Sequence, residues 1–137
     1  MRNNGKQVDF NVKDFKTLKV YQKSLELADI IFKLTKGFPQ EEKYRLIDQM
    51  IRATTSIGAN IAEGVGQVYK SKTLNFCSIA MGSTNEMRHW ITIAKMQGYI
   101  KDDEFRDLNM RLDEILRMLI GYMRMVQGQI DEGNNCA

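Results

Sequence analysis

The run Gln49-Met50-Ile51-Arg52-Ala53-Thr54-Thr55-Ser56-Ile57-Gly58-Ala59-Asn60-Ile61-Ala62-Glu63-Gly64 constrains this chain more than any other stretch. It reads as a helix, yet Ser56, Asn60 and Glu63 fall on one polar face, since positions i, i+4 and i+7 lie together. An ordinary core helix carries Leu or Ile at such positions. Small and polar residues on an otherwise Ile-rich helix let a second backbone come close and hydrogen-bond. Arg52 lies one turn before Ser56 and can join them. The expectation is a packed polar seam of Arg52, Ser56, Asn60 and Glu63 with Glu86 from the next helix, and no reaction centre.

Four helical segments follow from the apolar periodicity, and no β-branched alternation competes with it. The chain of 137 residues suffices for one domain with a core. Residues 1–12 read as a flexible lead-in, 13–130 as the helical domain and 131–137 as a flexible tail. The first helix is expected over about residues 14–36, with Gly37 as its stop. Pro39, the only proline, and Glu41-Glu42 open the second, which ends near Glu63 before Gly64-Val65-Gly66. The third is expected over about residues 71–96 and the fourth over about 101–129. Short connections make neighbours antiparallel, which gives an all-α, up-down-up-down four-helix bundle.

On the fourth helix, Phe105, Leu108, Leu112, Ile115, Leu116, Leu119, Met123, Val126 and Ile130 fall on one face. The first helix carries two apolar stripes. Leu18, Tyr21, Leu25, Ala28 and Phe32 make one, and Val20, Leu27, Ile31 and Leu34 make the other. A protomer of this kind needs one stripe per helix, so the second is assigned to an oligomer interface, with Met118 and Met125.

Chemistry is hard to find. Glu86-Met87-Arg88-His89 has the Glu-x-x-His spacing of helical two-metal sites, which need two such motifs. His89 is the only histidine, so one protomer cannot complete such a site. It reads as an ordinary helix residue, and no metal or cofactor is expected. Cys77 and Ser56 lack a base partner, and Gly64-Val65-Gly66-Gln67-Val68-Tyr69 lacks the third glycine and preceding strand of a dinucleotide loop. The acids are dispersed, so the chain reads as no enzyme. No apolar run approaches the ~18 residues of a membrane span. The first six residues have no apolar stretch and do not read as a signal peptide. Two cysteines, Cys77 and Cys136, make no disulfide framework, and a reducing cytoplasm is the simplest setting.

Basic residues carry the functional expectation. The net charge of +3 is mild, but the excess is uneven. Residues 1–36 hold eight basic residues against four acids, and residues 70–95 hold four against Glu86 alone. Lys16, Lys19, Lys23, Lys70, Lys72, Arg88 and Lys95 are the candidates for contact with a phosphate backbone. A solvated face is the bland alternative for any one stripe. No aromatic platform is read beside them, and Trp90 and the tyrosines are taken as packing residues.

The chain carries Leu18-Lys19-Val20-Tyr21-Gln22-Lys23, Phe38-Pro39-Gln40-Glu41-Glu42-Lys43-Tyr44-Arg45-Leu46, Ser56-Ile57 with Asn60-Ile61-Ala62-Glu63-Gly64, Gly82-Ser83, and Gly98-Tyr99-Ile100. In that order these motifs resemble the four-helix proteins encoded in intervening sequences of bacterial 23S ribosomal RNA genes. Gln67 departs from the pattern, which usually has a basic residue just after the second glycine. The resemblance implies a protomer of a ring-like homopentamer. It also extends to the accessory variability protein of diversity-generating retroelements, a basic pentamer that binds nucleic acid and a reverse transcriptase. Three roles are therefore expected to compete: a structured-RNA or DNA binder, an accessory subunit of a retroelement reverse transcriptase, and a structural oligomer without a nucleic-acid partner.

Overall fold

The computed structural model describes residues 14–135, and the expected lead-in and Cys136 lie outside them. Four α-helices run along this stretch: α1 (Lys19–Thr35), α2 (Asp48–Val65), α3 (Lys70–Met96) and α4 (Asp102–Asn135). No strand occurs among the described residues.

The helix ends have local causes. Asp14 does not open α1. It caps a separate 3-10 turn, Phe15–Thr17, where its Oδ1 accepts from the Lys16 amide at 3.0 Å. The second segment starts as expected after Pro39, but as a 3-10 turn (Gln40–Glu42) and a wide π turn (Lys43–Ile47) before α2 proper. α3 ends in a Schellman arrangement. Gly98 sits at φ 77°, its amide donates to the Lys95 carbonyl, and the Tyr99 amide donates to that of Ala94, each at 3.0 Å. The fourth helix does not fray at Gln129. It continues to Asn135, with the Gln127 amide donating to Asp131 one turn on, so residues 131–135 belong to the helix rather than to a tail.

Partners on α3 fall in number as those on α2 rise. Arg52 meets Glu86, Ser56 meets Ser83, and the Gly64 carbonyl accepts from the Thr73 hydroxyl at 2.8 Å. The same order links α3 to α4 through Arg88–Asp113 and Lys95–Asp102. The α2–α3 approach is close because Gly64 lacks a side chain: a Cβ there would lie 3.0 Å from Phe76 Cβ and 3.3 Å from the Thr73 carbonyl oxygen.

One core is shared by all four helices: Leu27 and Ile31 from α1, Met50, Ile57 and Ile61 from α2, Met87 and Ile91 from α3, and Leu108, Leu112, Ile115 and Leu119 from α4. This corrects the assignment of the α1 stripes. Val20, Leu27 and Ile31, expected at an oligomer interface, are buried inside the protomer. Leu34 and Met118 are partly buried against the same core, and of that set only Met125 is exposed, at 46%. The exposed apolar residues of α1 are Leu25 (50%) and Phe32 (42%), from the stripe expected to face inward.

The physical reason lies at Ser24 and Gly58. Ser24 falls between Val20 and Leu27 on the buried face and is itself buried. A Cβ on Gly58 would approach its Oγ to 2.9 Å. A small residue opposite a glycine brings α1 against α2 at this face. Leu25 and Phe32 on the other stripe are too large for that gap.

Candidate nucleic-acid interface

Two pairs of lysines lie at the end of the molecule where α2 stops. Phe15 packs edge-on against Tyr21 at 4.9 Å, and both line a groove with Gly58 and Ala62 of α2. This holds the 3-10 turn, with Lys16, and the start of α1, with Lys19, beside the last turns of α2. Gly64 against Thr73 and Phe76 holds the start of α3, with Lys70 and Lys72, beside the same turns. All four lysines are exposed. Among the described residues, no carboxylate oxygen lies within 4.0 Å of any of their side-chain amines, and the Asp14 carboxylate reaches only the Lys16 backbone amide.

The other three expected phosphate contacts sit elsewhere and are engaged. Lys23 Nζ is 3.7 Å from Glu26 and 3.8 Å from Glu114. Arg88 donates to Asp113 at 2.6 Å. Lys95 is 2.7 Å from Asp102, and its hydrogen bond and charge hold the Asp102 carboxyl below the usual range. A lysine that already faces a carboxylate must lose that partner before it neutralises a phosphate. Among the described residues, the seven expected residues thus divide into four without a carboxylate at the side-chain amine and three paired. The Lys23–Glu26 pair was readable at i, i+3, whereas the Arg88–Asp113 pair joins two helices and carries no local sequence signal.

Tyr21, Tyr99 and Tyr122 pack against the core as expected, but Tyr44 and Tyr69 do not. Tyr69 immediately precedes α3 and is 67% exposed, so it is no packing residue. Lys72 Nζ stands 5.8 Å from its ring centroid. The signal that was missed is the charge of this segment: from Gly64 to Asn85 there is no Asp or Glu. Trp90, by contrast, is partly buried against the core.

The polar seam lies between α2 and α3. Arg52 donates to Glu86 at 3.0 Å and to Gln49 at 2.8 Å. The Ser56 and Ser83 hydroxyls meet at 2.9 Å, and the Asn60 amide donates to the Ser56 carbonyl and hydroxyl at 2.8 and 3.0 Å. Glu63 is not brought in. Its side chain is exposed, and only its carbonyl is used, by the Gln67 amide at 3.0 Å. Ser83 and Gln49 take part instead. Gln67, at the position where a basic residue was expected, is therefore turned back onto its own helix.

Nothing in the seam activates a nucleophile. Cys77 is buried, and burial pushes its thiol up to about 11, which keeps it protonated at neutral pH. His89 is exposed and packs edge-on against Trp90 at 4.8 Å. Among the described residues, no group of three or more His, Cys, Asp or Glu could hold a metal ion, and no helix is long and apolar enough to cross a membrane.

Fold and site together define an all-helical protein with four helices on one core and a basic end. Comparison with known sequences and structures places it further. The profile of the family described as 23S rRNA-intervening sequence protein matches residues 16–121. A crystal structure of a protein of unknown function from the S23 ribosomal protein family of Bacteroides thetaiotaomicron superposes with a TM-score of 0.71 at 32% identity, covering 77% of this chain and 95% of that one. No curated protein matches. The chain belongs to the 23S rRNA-intervening sequence protein family.

Proposed function

We propose that this chain is a non-enzymatic, homo-oligomeric protein that binds structured RNA through its phosphate backbone in the cytoplasm. The observation that carries the reading is that Lys16 and Lys19 on one side of α2, and Lys70 and Lys72 on another, lie at the end where α2 stops, their amines without carboxylate partners among the described residues. Exposed amines free of acids can displace the counterions of a polyphosphate chain, a contact that carries no base sequence. The order of inter-helix partners supports an antiparallel up-down-up-down bundle as the protomer.

Self-association is supported by the exposed Leu25 and Phe32 on α1, which flank Ala28 on a face that the protomer leaves uncovered. The number five rests on the family resemblance alone. A pentamer would carry a net charge of about +15 and present the basic end five times, so weak single contacts would sum to avidity.

The test is an anisotropy titration of the full chain with a folded RNA, a DNA duplex and an unstructured single strand, with light scattering on the same samples. The reading expects an oligomer that binds at low salt with little dependence on sequence. No binding to any of the three at ~50 mM salt would overturn it and leave a protein-partner role, such as a reverse transcriptase subunit, or a structural oligomer.

A further inference from the structure

Tyr69 places an aromatic ring where the protomer has no use for one. Its backbone is extended, with φ −96° and ψ 124°, and its carbonyl accepts from the Lys72 and Thr73 amides at 3.0 and 3.3 Å. The backbone therefore starts α3, while the side chain makes no capping hydrogen bond. The neighbouring Val68 is also exposed. Lys70 follows directly, and Lys72 returns one turn later with its amine 5.8 Å from the ring centroid. That geometry sets one cation over one face of the ring, with a second, Lys70, next to the tyrosine in sequence.

A second exposed tyrosine shows which part of the arrangement matters. Tyr44 is 74% exposed, with Lys43 Nζ at 5.1 Å from its ring. It stands in a segment with Glu41, Glu42 and Asp48, and Arg45 pairs with Glu42. A polyanion approaching Tyr44 meets carboxylates. At Tyr69 the segment from Gly64 to Asn85 contains none.

We propose that Tyr69 stacks on an unpaired base of the bound RNA, in a loop or single-stranded stretch, while Lys70 and Lys72 hold the phosphates on either side. The inference rests on the nucleic-acid reading and adds the kind of RNA. A ring face accepts any base, so the contact selects unpaired nucleotides without selecting sequence. Loss of such a stack weakens binding roughly 10- to 100-fold.

The experiment compares Tyr69→Phe, Tyr69→Leu and Tyr69→Ala with the unmodified full chain. The probes are an RNA hairpin with an unpaired loop and a blunt RNA duplex, titrated by anisotropy at low salt. Circular dichroism and light scattering monitor folding and assembly. Tyr69→Phe should keep hairpin affinity, while Tyr69→Leu and Tyr69→Ala should lose about tenfold or more on the hairpin and little on the duplex. Equal hairpin affinity in all variants, or equal losses on both probes, overturns the stacking role while leaving backbone binding intact. A change of assembly state in Tyr69→Leu also overturns it, because the ring then serves contact between copies. If the unmodified chain binds neither probe, the nucleic-acid reading itself fails.

Discussion

The Ser56 and Ser83 hydroxyls meet at 2.9 Å across α2 and α3, and Asn60 closes the group from one turn along α2. Neither helix could bring its backbone so near with larger residues at these positions. Asn60 makes two of the three hydrogen bonds, while the exposed Glu63 side chain, one turn further, makes no hydrogen bond or ion pair among the described residues. Asn60→Leu should destabilise the fold by about 1–3 kcal/mol, and Glu63→Ala should stay within about 0.5 kcal/mol of the unmodified chain. Urea unfolding followed by circular dichroism reads both. A larger loss for Glu63→Ala than for Asn60→Leu would contradict the seam as described.

The two stripes of α1 give opposite outcomes for the same kind of substitution. Leu27 is fully buried, so Leu27→Glu strands a charge in the core and should prevent folding at ordinary temperatures. Leu25→Glu with Phe32→Glu alters exposed positions and should leave helical content intact while dissociating the proposed oligomer. Light scattering and circular dichroism together separate the cases. A double variant that assembles like the unmodified chain would move the interface elsewhere.

Cys77 offers a pH test with a defined sign. Burial raises its folded-state value from 9.0 to about 11, so the fold favours the neutral thiol. That contribution is fully present below 9.0 and is lost as pH rises through about 11. In a Cys136→Ser background, iodoacetamide at pH 8 should label native Cys77 more than about tenfold slower than the same chain in denaturant, since the thiolate is the nucleophile. Mass spectrometry of the tryptic peptide gives the rate. Equal rates would mean that the thiol is not protected by the fold.

Much of the fold was legible because α-helical periodicity and punctuation are local. Pro39, Gly98 and the acids at Asp102-Asp103-Glu104 mark helix starts and stops, and the structure places them there. The choice between the two stripes of α1 was not local. It depends on Ser24 meeting Gly58, a contact between residues far apart in sequence. The candidate site divides the same way. The basic residues could be picked out, but which of them keep their charge free depends on Glu114 and Asp113, carried by another helix. Tyr69 reads as a packing residue in the sequence, because nothing local to a tyrosine beside a helix start reports its exposure.

The division of the basic residues into unpaired and paired is the centre of this account, and salt dependence tests it most directly. The slope of log K against log salt should be measured for a folded RNA with three proteins. These are the unmodified chain, a variant with Lys16, Lys19, Lys70 and Lys72 all changed to Gln, and a variant with Lys23, Arg88 and Lys95 all changed to Gln. Each phosphate contact contributes about 0.7–0.9 to the slope. The first variant should flatten it markedly and the second should leave it near that of the unmodified chain. A second variant that flattens the slope as much as the first, or a first variant with an unchanged slope, would contradict the account.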